Sequence, residues 1–109
     1  MNLEPSEYLA DFVGSLLSYD AFSALPAAKR NTIFSLKPYA NLTSDQLFFV
    51  ARCALWCATT GVQERDHGYA GYAAKRARCN VPAMNTPGFG TAFNCPIGSK
   101  MNPKKKCRF

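Results

Sequence analysis

Apolar residues near the start of the chain recur at helical intervals. Leu9, Phe12, Val13, Leu16 and Leu17 occupy the i, i+3, i+4, i+7 and i+8 positions of one face, which predicts a helix over Glu4 to Phe22. Pro5 suits its first turn, where a missing N–H costs nothing. At about 100° per residue, Glu7 and Asp11 fall on the opposite face together with Gly14 and Ser18, so two carboxylates share a polar strip.

Pro26 is predicted to open a second helix that ends at Leu36, because the residue before Pro38 is pushed away from helical geometry. The apolar face of this second segment is weak. Thr43 followed three residues later by Gln46 reads as a capping box ahead of Leu47, Phe48, Phe49 and Val50, and predicts a third helix as far as Ala58, before Gly61. Apolar residues surround that helix almost completely, with Arg52 the main interruption, which is the pattern of a helix inside a larger body. Residues 61–78 are rich in Gly, Tyr and charge without periodicity and are expected to form a long irregular loop. Thr86 and Pro87 restart a short helix through Phe93, and residues 96–109 form an irregular basic tail. With no repeat and no alternating strand pattern, the expected class is mainly α.

Composition agrees with packed structure: 48% of the 109 residues are hydrophobic and 18% charged, far from the profile of a disordered chain. The net charge of +6 is uneven. Seven acidic and five basic residues precede His67, whereas eight basic residues and no acid follow it. Lys104, Lys105 and Lys106 form one short run with no interleaved aromatic platform, so the basic half is read as a solvated or interface-facing surface and no nucleic-acid partner is expected. No stretch is apolar enough to span a bilayer, and Met1 to Glu7 lack the basic start and apolar core of a signal peptide. Yet five cysteines (Cys53, Cys57, Cys79, Cys95 and Cys107) and the glycosylation triplet Asn41-Leu42-Thr43 are features of secreted chains. A truncated chain or incomplete gene model reconciles the two, and residues 1–109 are expected to be a single partial domain.

Glu7 and Asp11 are the first candidates for chemistry. Spacing of i, i+4 lets one helix present a zinc-binding carboxylate beside another that orients a neighbouring histidine ligand, although such a pair is more often simply solvated. A zinc peptidase needs two histidines on one helix around a glutamate base, and this chain has a single histidine, His67. Cys53 and Cys57 lack the spacing of a ligand knuckle, so no complete internal zinc site is expected.

Several segments together carry a resemblance. Glu7-Tyr8-Leu9-Ala10-Asp11 resembles the E-x-x-A-D helix motif of the neprilysin and endothelin-converting-enzyme family of zinc metallopeptidases. Asp45 to Phe49 followed by Leu55-Trp56-Cys57 resembles its Q-L-F-F and V-W-C helix. Phe93-Asn94-Cys95-Pro96, Met101-Asn102-Pro103 and Lys106-Cys107-Arg108 resemble its closing signature. The resemblance implies the C-terminal helical portion of a gluzincin-type catalytic domain. By position, it implies Glu7 as the third zinc ligand, Asp11 as the aspartate that holds a ligand histidine, and Arg78 as the residue that grips a backbone carbonyl of a bound peptide. It also implies disulfides from Cys57, Cys95 and Cys107 to partners upstream of Glu7. Cys53 and Cys79 have no counterpart in the mammalian pattern; a bridge between them is one of the pairings left open.

Two departures bear on activity. Where the family carries a histidine that stabilises the oxyanion, this chain has Tyr72, which donates a hydrogen bond but brings no positive charge; His67 could take that place only if the loop is rebuilt. Ser6 stands where a glycine usually precedes the zinc glutamate. The expectation is a fragment of a secreted or membrane-anchored zinc endopeptidase, with zinc and a peptide substrate belonging to the complete enzyme and no turnover by this chain alone. An inactive decoy or peptide-binding module is the alternative.

Overall fold

A computed structural model describes residues 5–31, 33–36, 40–57 and 75–108. These residues are mainly helical: α1 spans Pro5–Ser23, α2 Ala27–Arg30, α3 Ser44–Ala54, α4 Lys75–Asn85 and α5 Pro87–Ala92. The expected second helix stops at Arg30, and Ile33–Leu36 instead forms strand β1, paired antiparallel with β2, Ala40–Thr43, in the register Ile33 to Thr43 through Leu36 to Ala40. That correction has a physical source. Ile33 and Phe34 prefer extended geometry, and a weak apolar face leaves helix with nothing to gain once a second strand is available.

The third helix begins as its capping box requires. Thr43 Oγ1 accepts from the Gln46 amide at 3.1 Å while Gln46 Oε1 accepts from the Thr43 amide at 3.1 Å. Gln46 Nε2 also donates to the Ala92 carbonyl at 2.9 Å, tying the start of α3 to the end of α5. The expected loop over residues 61–78 is corrected at its end, because Lys75 to Arg78 already belong to α4. Lys, Arg and Ala there are good helix formers that carry no apolar period to betray them. Thr86 is the N-cap of α5 but its hydroxyl does not cap: it turns back and donates to the Pro82 carbonyl at 2.8 Å.

Aromatic rings form the core. Phe49 of α3 is 3% exposed and packs against Tyr19 of α1 at 5.0 Å, Phe89 of α5 at 5.2 Å and Phe93 at 6.5 Å between centroids. Phe22 stacks on Phe48 at 5.1 Å, extending the cluster along α1. Gly88 lies directly under the Tyr19 ring, and any β-carbon there would overlap it. The apolar stripe read on α1 is only half covered. Phe12 is buried, but Leu9 and Leu17 are 47% and 63% exposed, and Leu55 at the end of α3 is 77% exposed.

A Cys53–Cys79 disulfide joins α3 to α4, with Cα atoms 5.0 Å apart. Closing a loop across 26 positions stabilises by about 3.5 kcal/mol in the chain-entropy account. The basic tail is held by the Met101-Asn102-Pro103 segment. Asn102 Nδ2 donates to the Cys95 carbonyl at 2.8 Å, Asn102 Oδ1 accepts from Lys106 Nζ at 2.6 Å, and Asn102 packs on Gly90, where a β-carbon would come within 2.7 Å of it. Lys106 is thus turned inward, while Lys104 and Lys105 are exposed.

Removing the central ring tests this account of the core. Phe49→Ala should lower stability by about 3–5 kcal/mol, read from urea unfolding, because α1 and α5 lose their common contact on α3.

Candidate functional site

Helix α1 carries Asp11, and α4 carries Arg78; their side chains meet in a two-point fork. Arg78 Nε donates to Asp11 Oδ2 at 2.6 Å and Nη2 donates to Oδ1 at 2.8 Å. The side chains are 16% and 21% exposed, so water screens this pair far less than a surface one. The guanidinium carbon of Arg78 lies 3.9 Å from the centre of the Trp56 ring, within cation–π range. The arginine is therefore fixed on one face by the indole and along one edge by a carboxylate.

A second arginine stands behind the first. Arg52 Nη1 donates to the Arg78 carbonyl at 3.2 Å, and Nη2 makes a longer contact of 3.5 Å to the Asp11 carbonyl. Burial pushes the Arg52 guanidinium below its ordinary value; the charge of Asp11 opposes that shift and the charge of Arg78 adds to it. Among the described residues, one carboxylate faces the two guanidinium groups at this locus.

That locus opens into a cleft of about 480 Å³ between α1 and α3, lined by Asp11, Gly14, Ser18, Phe48, Arg52 and Trp56 among others. The polar strip anticipated on α1 is therefore directed partly into a hollow, since Asp11, Gly14 and Ser18 all line it. The Trp56 indole N–H is buried without an acceptor. A buried donor in that state costs about 1–3 kcal/mol.

Glu7 lies in α1 one turn before Asp11, and its side chain is outside the described residues. Tyr72 and His67 lie outside them as well. Among the described residues no three His, Cys, Asp or Glu side chains converge, so the donors present do not by themselves form a zinc site. Cys57 and Cys107 are exposed and Cys95 is half-buried, all three as free thiols. Asn41 is exposed on β2, and Thr43 of its triplet is the residue that caps α3. No helix among the described residues is long and apolar enough to cross a membrane.

Reading the sequence singled out Asp11 and Arg78 for separate tasks and did not foresee that they bind each other. Arg52 and Trp56 were missed as site residues. The available signal was Arg52 interrupting the apolar run of the third helix, a position that demands a partner.

Residues 2–109 match the profile of peptidase family M13. The chain is 38% identical over 98 residues to Neprilysin-21 of Caenorhabditis elegans, covering 81% of this chain and 12% of that protein. It is 40% identical over 73 residues to Neprilysin-2 of the same organism, covering 65% and 10%. Endothelin-converting enzyme 1 of Rattus norvegicus is 32% identical over 103 residues, covering 93% and 13%. The chain thus spans about an eighth of the length of such relatives. No solved structure matches it.

Substituting the carboxylate checks the fork. Asp11→Asn keeps the shape but turns one acceptor into a donor facing Arg78, and should cost about 2 kcal/mol. The loss is measured by denaturation followed through Trp56, the chain's one tryptophan.

Proposed function

Because this chain belongs to peptidase family M13, a family of zinc-dependent metallopeptidases, we propose that it forms the C-terminal part of the catalytic domain of a neprilysin-like metalloendopeptidase that cleaves peptide bonds. The observation that carries this reading is Arg78, held in place by Asp11 and Trp56, two residues that line an open cleft. A guanidinium oriented in this way is a directional donor, suited to donating to a backbone carbonyl of a peptide.

In this reading Glu7 contributes one ligand to a zinc centre whose other protein ligands come from a segment outside these 109 residues. Bound zinc would supply a Lewis acid and an activated water. Asp11 uses both oxygens for Arg78, yet a carboxylate has about four lone-pair sites, so it retains capacity to hold a ligand histidine as well. Tyr72 takes the position of the oxyanion donor and would stabilise developing charge less than a cationic histidine does.

The exposed Leu9, Leu17 and Leu55 support incompleteness of the chain on its own. These three leucines are what a surface normally covered by more protein would leave exposed. An extracellular or membrane-ectodomain setting accords with the Cys53–Cys79 bridge, with Cys57, Cys95 and Cys107 pairing to the missing portion.

Two measurements test the proposal. The purified 109-residue chain with added zinc should show no chelator-sensitive cleavage of peptide substrates, and such cleavage would overturn the assignment of the other ligands to another segment. In a protein that also carries the H-E-x-x-H segment, Arg78→Lys should raise KM about tenfold while kcat changes much less, since a point charge replaces a fork. An unchanged KM would remove Arg78 from peptide binding.

A further inference from the structure

Pro82 lies inside α4 and is buried. Having no N–H, it cannot donate to the carbonyl four residues earlier, and that carbonyl belongs to Arg78. The helix therefore lacks a rung at the residue whose side chain the site depends on. Arg52 occupies the place of the missing donor, with Nη1 3.2 Å from the Arg78 oxygen. It reaches there from α3, where it is half-buried among apolar neighbours.

The covalent frame around this contact is short. Cys53 follows Arg52, Cys79 follows Arg78, and the two cysteines are bridged. Arg52, Cys53, Cys79 and Arg78 thus form a ring closed on one side by sulfur and on the other by a hydrogen bond. The bridge limits how far α4 can move from α3 but leaves rotation of α4 about its own axis open. The Arg52 contact restricts that rotation, because it grips the backbone of Arg78 itself. Rotation would carry the Arg78 guanidinium away from Trp56 and Asp11, 3.9 Å and 2.6 Å distant.

The geometry points to Arg52 as a positioning residue for Arg78, required because Pro82 deprives the Arg78 carbonyl of its helical partner. The inference deepens the assignment of Arg78 to peptide binding and rests on it for its functional meaning. The coupling between Arg52 and Pro82 stands on this chain's geometry alone.

A four-variant comparison on the 109-residue chain tests it: wild type, Arg52→Met, Pro82→Ala and the double variant, with Arg52→Lys as the conservative control. Two signatures report Arg78 without any peptide, namely the Arg78 Nε–H nuclear magnetic resonance signal and Trp56 emission. Far-UV circular dichroism checks that the helices persist. In Arg52→Met the Arg78 Nε–H signal should move toward that of a free, solvent-exposed arginine and Trp56 emission should change in the same direction as in Arg78→Met. Arg52→Lys, which keeps a donor, should recover part of both. With Pro82→Ala restoring an amide donor, Arg52→Met should lose more than half of its effect.

The inference is overturned if the Arg78 signal in Arg52→Met matches wild type with helices intact, or if Pro82→Ala leaves the Arg52→Met effect undiminished. Neither outcome involves peptide, so the inference can fail while the KM test of Arg78 succeeds, and the reverse.

Discussion

Where α1 approaches α4 the tie is ionic, made by two short hydrogen bonds from Arg78 to Asp11. The aromatic cluster lies further along α1, at Tyr19 and Phe22, and secures that end of the helix against α3 and α5. The Asp11 end depends on charge held at low exposure. Such a pair is strong while both partners are present, and loss of either leaves an uncompensated charge in a place poorly reached by water. The cleft exists in the form described because this fork sets how α1 and α4 meet beside it.

The disulfide and the fork constrain different motions. Cys53–Cys79 sets the separation of α3 and α4, whereas the fork and the Trp56 stack set the direction of one side chain. Arg52 couples the two by joining α3 to the backbone of α4 at Arg78. A proline in the middle of a helix commonly costs about 3 kcal/mol through a lost hydrogen bond and a steric clash. Here the bond is replaced from a neighbouring helix, and the replacement passes through the arginine that faces the cleft. A local defect in α4 thereby becomes a means of registering that helix against α3.

Arg52, Arg78, Asp11 and Trp56 form one connected cluster between α1, α3 and α4. Asp11, Arg52 and Trp56 of that cluster line the cleft. The exposed Leu9, Leu17 and Leu55 lie on the helices that build the site, α1 and the end of α3. In the reading proposed above, further protein packed across these faces would bury them.

Local pattern was enough for the mainly helical class, for α1 within a residue at each end, and for the capping box of α3, because each depends on residues within one or two turns of each other. The family resemblance pointed to Asp11 and Arg78 as residues of interest. What the chain could not disclose by itself was every relation across distance: the strand pairing over Ile33–Leu36, the cysteine pairing, the inward-turned Lys106 and the joining of Asp11 to Arg78. Those contacts link positions up to 67 residues apart, and their free energy comes from exclusion of water and from geometry that exists only once the helices are packed. Residue types and spacing determined α1 and the start of α3; tertiary packing decided the strand pairing and which charges meet.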